Sequence, residues 1–287
     1  MPHLIPHVRK PVGLIWDSEN WSCAYDASFT ILANLWAEDS QRWTGYFGHM
    51  GGVLGELGVL FQSVSDGMVT LETARNLVRR GMNARQPDHF PYGSNTTSID
   101  RIAQQLFPSK HFAVGRQVCR RCHFCDDKGY RMLESYLSAG LKSTDEYPDG
   151  VHLTSWLERY LSRGKQFCPS CRLVGVRQKL DMQTQVTEVP PIMLLDITHK
   201  RLVFSEELCF NVGGRLFKLK LRGIIYGGQA HFTCRFIQKD GSMWFHDGIT
   251  TGNSCIRENR LQDGEDRLQL HKCGEKSAVA VIYALVL

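Results

Sequence analysis

The first half of the chain carries apolar residues at the three- and four-residue spacing of amphipathic helices. Tyr25, Phe29 and Leu32 have this spacing. They predict a buried helix that is capped by Ser22 and carries Cys23 in its first turn.

Two further helices are predicted where Thr70 precedes LETARNLVRRGM and Ser98 precedes IDRIAQQLF, because both residue types favour the cap position. From about residue 112 the pattern changes to short strands and turns, with one helix near HLTSWLERYLSRG. Strands are predicted beyond Pro190, at PIMLLDI, KRLVFS, RLFKLKLRGIIY, AHFTCRFIQ, SMWFHD and AVAVIYALVL. Helices first and a sheet later predict an α+β fold.

The composition narrows the class of protein. The 287 residues are 43% hydrophobic and 22% charged, which is typical of a globular protein with a substantial core. The chain lacks a long apolar span, and MPHLIPHVRK lacks a secretory signal, so we expect no membrane association and a cytoplasmic or nuclear location. The net charge of +5 is too small and too dispersed to indicate nucleic-acid binding. Ten cysteines then indicate thiols, metal ligands or core residues rather than disulfides.

Cys23, His231 and Asp247 provide the three side-chain types of a thiol catalytic site. A thiol is mostly protonated at neutral pH, and a helix N-terminus or an adjacent imidazolium would lower its pKa. The turn QKDGS predicts a hairpin that places Asp247 beside His231, where it would orient the imidazole. Asp240 and Asp196 are competing candidates for that role. The alternative for Cys23 is an inert core cysteine.

Two CxxC pairs indicate a metal site. Cys119 with Cys122 and Cys168 with Cys171 each resemble one knuckle of a four-thiolate zinc site. A closed shell of four sulfurs leaves no position for a substrate, so the expected role of Zn²⁺ is structural. In CRRCHFC, however, Cys125 or His123 could replace one of these ligands.

Taken in order, these motifs resemble the ubiquitin-specific protease family of cysteine peptidases over nearly the whole chain. SCAYDASFTIL is similar to the family's cysteine box, and the two CxxC pairs to its zinc ribbon. VPPIMLLDITHKR resembles the strand after the second pair. LKLRGIIYGGQAHFTCRF with MWFHD resembles the histidine box, and AVAVIYALVL the closing strand.

The resemblance implies a papain-like cysteine protease fold with fingers, palm and thumb subdomains and an inserted zinc ribbon. It implies a single catalytic domain, 1–287, with a helical thumb at about 12–110, fingers at about 111–185 and a β-rich palm at about 186–287. Cys23 would be the nucleophile, His231 the base and Asp247 the orienting acid. The four ligands of structural zinc would be Cys119, Cys122, Cys168 and Cys171.

The implied activity is that of a deubiquitinase, a thiol isopeptidase that cleaves after the C-terminal glycine of ubiquitin or a ubiquitin-like modifier. The expected partners are that modifier and its conjugates, with SUMO as the alternative to ubiquitin. Gly227 and Gly228 precede His231 and could line a narrow cleft for a diglycine tail. The alternative for these glycines is plain loop flexibility.

The chain departs from the family pattern near the nucleophile. Ser18 stands where the family usually has an asparagine that stabilises the oxyanion, so Asn20, Ser18 itself or backbone amides would have to serve, or the activity is weak. Ala24 replaces an aromatic residue and Asp26 an asparagine. These changes resemble the divergent branch of the family that cleaves SUMO.

Two other classes of protein fit parts of the sequence. One is a catalytically weak member that only binds a ubiquitin-like modifier, which the altered oxyanion region favours. The other is a zinc-ribbon protein that binds nucleic acid, which Arg120 and Arg121 in the first knuckle favour. Neither explains the predicted hairpin that carries His231 and Asp247.

Overall fold

The computed structural model describes residues 10–107, 111–138, 150–198, 202–212, 214–258 and 270–285, with the backbone alone at 125–133, 162–166, 186, 212 and 215. Helices precede most of the sheet along the chain, so the protein has the predicted α+β fold. None of the helices in these ranges is long and apolar enough to span a bilayer.

The first five helices form a cluster around a buried central helix. Thr70 and Ser98 accept hydrogen bonds from the N–H groups three residues later, which confirms both predicted caps. Ser22 occupies the cap position of the first helix, but its side chain makes no capping bond, so that prediction is wrong in detail. The helices are α1 (Cys23–Glu38), α2 (Ser40–Met50), α3 (Gly52–Ser65), α4 (Leu71–Arg85), α5 (Ile99–Leu106), α6 (Leu153–Ser162) and α7 (Pro169–Leu173).

The strands of the described residues form two sheets. The smaller has the order β2-β1-β5-β4, and the larger has the order β11-β10-β9-β8-β13-β6-β3, with β12 paired to β13 and β7 to β8. The strands are β1 (His111–Val118), β2 (Cys125–Glu134), β3 (Tyr136–Ser138), β4 (Arg163–Phe167), β5 (Lys179–Val186), β6 (Ile192–Asp196), β7 (Glu207–Val212), β8 (Arg215–Gly228), β9 (His231–Ile237), β10 (Met243–His246), β11 (Ile256–Arg257), β12 (Lys272–Cys273) and β13 (Lys276–Leu285).

One predicted strand is wrong. In KRLVFS, residues 202–205 form no strand, and Val203 makes only an isolated bridge with His152. Leu202 and Phe204 are nevertheless buried. Their burial therefore reflects packing into the core rather than strand pairing, and the strand forms a few residues later, at β7.

Helix α1 packs directly against β9 of the larger sheet. Helix α1 also approaches the neighbouring strand β8 closely, because Gly223 of β8 has no side chain. A Cβ there would lie 2.5 Å from Cγ2 of Ile31. Glu38, at the far end of α1, binds both the Arg222 guanidinium and the backbone N–H of Lys239 in the β9–β10 turn. The helix that begins at Cys23 is thus held against the strand that begins at His231.

Candidate active site

The β9–β10 hairpin brings His231 and Asp247 together. Cys234 pairs with His246, so the next step of the ladder would set Asp247 opposite Thr233. His231 and Thr233 share one face of β9, and the diagonal neighbour across the hairpin is within side-chain reach. Nε2 of His231 lies 2.8 Å from Oδ1 of Asp247.

The loop after β10 orients the Asp247 carboxylate as a hydrogen-bond acceptor. Oδ1 also accepts a 3.0 Å hydrogen bond from the N–H of Ile249. Burial opposes ionisation, but the bonds from His231 and Ile249 prevail and hold the pKa of the Asp247 carboxyl below its usual value. An ionised Asp247 accepts a hydrogen bond from the Nε2–H of His231, which leaves Nδ1 as the ring nitrogen available for other chemistry.

Cys23, the candidate nucleophile, is the first residue of α1. Its side chain is buried, with 5% of its surface exposed. Burial raises the pKa of the Cys23 thiol, and the Asp26 carboxylate raises it further, although the N–H groups of Phe232 and Ala24 act in the opposite direction. The expectation of a lowered pKa is therefore wrong for the free protein. The contact with Phe232 places the thiol beside the residue that follows His231.

A buried ion pair supports the start of α1. Arg75 of α4 donates to Oδ1 of Asp26 at 2.7 Å, and the Ser22 hydroxyl donates to Oδ2 at 2.6 Å. The same Ser22 oxygen accepts from the N–H of Asp17 at 2.8 Å. Arg75 also binds the carbonyl oxygen of Ile15. Burial raises the pKa of Asp26 to about 7 despite the nearby Arg75. The Ser22 side chain thus binds Asp26 and the N–H of Asp17 instead of capping the helix.

The two competing aspartates have other partners. Asp240 accepts from the N–H and the hydroxyl of Ser242, within the β9–β10 turn. Asp196 accepts from Thr198 and from Ser138, on the β3–β6 side of the sheet. Asp247 is the one of the three candidates that contacts His231.

The side chain of Asn20, a candidate oxyanion donor, is bonded to other groups of the protein. Its Nδ2 donates to Asp17 and its Oδ1 accepts from the N–H of Gly93. The Arg79 guanidinium binds its backbone oxygen. Ser18, the other side-chain candidate, is exposed.

Gly227 and Gly228 lie at the end of β8 and not in a loop. They pair with Phe232 and His231 across the ladder. A Cβ on Gly227 would lie 2.9 Å from the Phe232 ring and 3.0 Å from Val279. The absence of a side chain at Gly227 therefore permits close packing within the sheet, which corrects the alternative of loop flexibility.

Trp16 is a neighbour of the site that the sequence pattern did not single out. Its ring lies edge-on to the His231 ring, with centroids 6.4 Å apart and planes at 75°. Its backbone N–H donates to the carbonyl oxygen of Gly248, the residue after Asp247. Arg75 was also missed. No local signal marks either residue, because both reach the site through tertiary packing.

The four cysteines of the two CxxC pairs form a cluster. Their sulfurs all lie within 4.8 Å of one another, with 3.6 Å between Cys119 and Cys171 and 3.4 Å between Cys122 and Cys168. A tetrahedral ion with bonds of about 2.3 Å to sulfur requires separations of this size, so the four residues fit zinc. N–H groups of Cys122 and Arg121 lower the pKa of Cys119 to about 7, whereas burial and the neighbouring thiols raise the pKa of Cys171.

His123 and Cys125 are the two neighbouring residues that could replace one of the four zinc ligands. His123 is exposed and has a positive φ of 57°, as part of the tight turn after Cys122. The side chain of Cys125 lies outside the described residues. The second knuckle begins with Cys168 at the N-cap of α7, where its sulfur accepts from the N–H of Cys171.

Comparisons with known proteins support the fold. No protein-family model matches the chain, and no curated protein matches it in sequence. Among solved structures, the SAGA DUB module containing Ubp8, bound to monoubiquitin, matches with a TM-score of 0.53 at 12% identity, over 95% of this chain and 68% of that one. The same module bound to ubiquitin aldehyde has a TM-score of 0.53 at 12% identity, over 98% and 71%.

A third match is the Saccharomyces cerevisiae Pan2 pseudoubiquitin hydrolase–RNA exonuclease module in complex with A7 RNA. It has a TM-score of 0.57 at 12% identity and covers 96% of this chain and 54% of that one. The protein thus has a fold similar to ubiquitin-hydrolase folds, as the sequence predicted. At this identity the likeness concerns the fold alone.

Proposed function

We propose that the protein is a cysteine isopeptidase that hydrolyses the bond after the C-terminal glycine of ubiquitin or a ubiquitin-like modifier. Cys23 is the nucleophile, His231 the general base and Asp247 the acid that orients it. The observation that carries the proposal is the 2.8 Å contact between His231 Nε2 and Asp247 Oδ1, together with the contact of the Cys23 thiol with Phe232, the residue after His231.

The reaction follows from the roles of these three groups. Nδ1 of His231 takes the thiol proton, and the Cys23 sulfur forms a bond to the glycine carbonyl carbon. The C–N bond then breaks, and the leaving lysine amine takes the proton from His231. Water, deprotonated by His231, hydrolyses the thioester and restores the thiol. Asp247 stabilises the imidazolium formed in each step.

The raised thiol pKa fits a site that becomes active when it is filled. In the free protein burial and the Asp26 carboxylate disfavour the thiolate of Cys23, because both raise its pKa. Catalytic hydrogen bonds are often long in free enzymes and tighten only around the substrate. Binding of a modifier tail would bring the thiol and the imidazole into register.

Ubiquitin is the first choice of modifier. Two of the structural matches hold ubiquitin or ubiquitin aldehyde, and the fold similarity extends over nearly the whole of this chain. SUMO is the alternative, supported by Ala24 and Asp26 in the cysteine box. The conjugates of either modifier would be the substrates.

A structural zinc ion is the second part of the proposal. Cys119, Cys122, Cys168 and Cys171 would hold it, and it would supply no chemistry to the reaction because all four positions are taken by sulfur. Buried Leu180 packs in the same cluster. The ion would therefore hold the two knuckles together where little apolar core is available.

Electrophilic probes test the proposal. Ubiquitin and SUMO that carry a C-terminal electrophile are each incubated with the protein, and the labelled cysteine is identified by mass spectrometry. We expect one modifier to label Cys23, and the Cys23→Ala protein to lose both labelling and cleavage of a fluorogenic conjugate. Cys209→Ala, at a half-buried cysteine of β7, is the matched control and should retain both. Full activity of Cys23→Ala would reject the assignment.

A catalytically silent modifier-binding protein is the second candidate. It is favoured by the raised pKa of Cys23 and by the engagement of Asn20 with Asp17 and Gly93. Such a protein would bind ubiquitin or SUMO, measured by calorimetry, without labelling by either probe.

A further inference from the structure

The indole N–H of Trp16 is a buried donor without an acceptor. Within the described part of the chain, Trp16 Nε1 has no hydrogen-bond partner and no access to solvent. Buried tryptophan N–H groups usually have a partner, because an unpaired donor loses its bonds to water. An unpaired donor of this kind beside a reactive site can serve a ligand that is absent from the free protein.

Trp16 is connected to both halves of the candidate site. On one side its ring meets that of His231, at 6.4 Å between centroids. On the other side, the next residue, Asp17, donates its N–H to the Ser22 hydroxyl, and Ser22 precedes Cys23. The indole therefore contacts the imidazole directly, and its loop is bonded to the residue that precedes the thiol.

The position of this residue is fixed by its backbone. The backbone N–H of Trp16 donates to the carbonyl oxygen of Gly248 at 3.2 Å. The backbone N–H of Gly13 donates to the carbonyl oxygen of Asn253 at 2.9 Å. A Cβ on Gly248 would lie 2.9 Å from the Trp16 nitrogen, so the two segments touch. The backbone of Trp16 is therefore held against the loop that follows Asp247, and a bound substrate would only have to reach the indole N–H.

We propose that the Trp16 Nε1–H donates to the carbonyl oxygen of the bond that is cleaved and stabilises the oxyanion. The inference rests on the proposed isopeptidase function. When the Cys23 sulfur bonds to the carbonyl carbon, the C=O electron pair moves to oxygen, which then carries the negative charge. Backbone N–H groups at the start of α1 are the second donors. When the pair returns, the C–N bond breaks and the amine leaves with a proton from His231.

Trp16 would thus be the oxyanion donor, the role for which Asn20 and Ser18 were candidates from the sequence. The side chain of Asn20 is engaged with Asp17 and Gly93, and that of Ser18 is exposed. An indole has a donor and no acceptor, so it discriminates in favour of an anionic oxygen. Trp16 is thus a catalytic residue and not only a packing partner of His231.

The test uses Trp16→Phe, which keeps a ring against His231 and removes the donor. Three reagents are made from whichever modifier labels Cys23: a C-terminal fluorogenic amide, a C-terminal aldehyde and a C-terminal bromoethyl amine. The amide and the aldehyde both form an adduct with a tetrahedral carbon and a charged or polar oxygen. The bromoethyl reagent alkylates sulfur by displacing bromide and forms no such oxygen. Trp21→Phe, a tryptophan of the same loop, is the matched control.

We expect Trp16→Phe to lower kcat for the amide by about a hundredfold, with KM changed by less than about threefold. Aldehyde inhibition should weaken in parallel, while alkylation by the bromoethyl reagent stays within about twofold. Trp21→Phe should resemble the unsubstituted protein in all three assays. Unchanged amide hydrolysis would overturn the inference and leave the proposed function intact.

Other outcomes are equally decisive. An equal loss of alkylation and hydrolysis would show that Trp16 acts by placing Cys23 or His231, which overturns its role as a donor. An equal loss in Trp21→Phe would show a general sensitivity of the loop and would also overturn it. If the unsubstituted protein reacts with none of the three reagents made from either modifier, the proposed function itself fails, and the inference with it.

Discussion

Arg75 donates a 2.7 Å hydrogen bond to the carboxylate of Asp26 in the protein interior, one helical turn after Cys23. Each of the two side chains is only 3% exposed. A buried pair of this kind adds little net stability, but removal of one partner leaves an uncompensated charge. The pair links α4 to the start of α1 and sets the electrostatic environment of the thiol.

The first prediction concerns the pH dependence of thiol reactivity. The Asp26 carboxylate raises the pKa of Cys23, so Asp26→Asn should increase the thiolate fraction and speed alkylation. The pKa of Asp26 itself is about 7. Its charge is therefore present above pH 7 and lost below, and the two proteins should react alike near pH 5 and diverge above pH 7.

Iodoacetamide alkylation of the Cys23 peptide, followed by mass spectrometry from pH 5 to 10, checks this prediction. In the unsubstituted protein the rate should still be rising above pH 8, because the thiol pKa lies above its ordinary value. A rate that already levels off below pH 7 would instead indicate a thiolate–imidazolium pair in the free protein.

The second prediction concerns Asp247. Asp247→Asn removes the charge that fixes the His231 tautomer and stabilises the imidazolium, so kcat should fall by roughly 10²- to 10⁴-fold. Steady-state hydrolysis of the fluorogenic conjugate measures it. Asp240→Asn is the matched control in the same hairpin, and it should change the rate by less than about twofold, since Asp240 contacts Ser242. Comparable losses in both variants would contradict the assignment.

The third prediction concerns the cysteine cluster. The purified protein should contain one zinc ion per chain, measured by inductively coupled plasma mass spectrometry. Titration of its thiols with a mercurial should release the ion and lower the unfolding temperature, because the binding free energy contributes to folding.

Ligand identity is checked by substitution. Cys168→Ser should lose zinc, whereas Cys125→Ser and His123→Ala should retain one equivalent, since four sulfurs already complete the shell. Zinc loss in Cys125→Ser would place that residue among the ligands.

The fourth prediction concerns the packing of the N-terminal segment on the hairpin. A Cβ at Gly13 would lie 1.9 Å from Cδ2 of the His246 ring, next to Asp247. Gly13→Ala should therefore lower the free energy of unfolding by about 1–3 kcal/mol and reduce activity, as the ring or the segment must shift.

Urea denaturation measures the effect, with Gly45→Ala as the control. Gly45 lies inside α2 with nothing within 4 Å of an added Cβ. That substitution should raise the free energy of unfolding by about 0.5–1 kcal/mol, because alanine loses less backbone entropy than glycine in a helix. Destabilisation by Gly45→Ala would contradict this account of helix α2.

The sequence alone determined the features that depend on local periodicity and short spacing. Apolar spacing located α1 with Cys23 in its first turn, and the caps at Thr70 and Ser98 followed from residue type. Two residues between cysteines indicated knuckles that could share one ion. The catalytic roles of Cys23, His231 and Asp247 stay predictions, although the hairpin does join His231 to Asp247.

Only the tertiary structure decided which distant groups meet. Residues 202–204 are the apolar run Leu-Val-Phe that predicted a strand, yet residues 202–205 form none, because pairing depends on neighbours that the local pattern does not specify. Ser22 bonds to Asp26 instead of capping α1, since Arg75 arrives from another helix. The contact of Trp16 with His231 and the raised pKa of Cys23 likewise arise from long-range packing and burial. The free energies of such contacts depend on the folded surroundings and not on neighbouring residues in the chain.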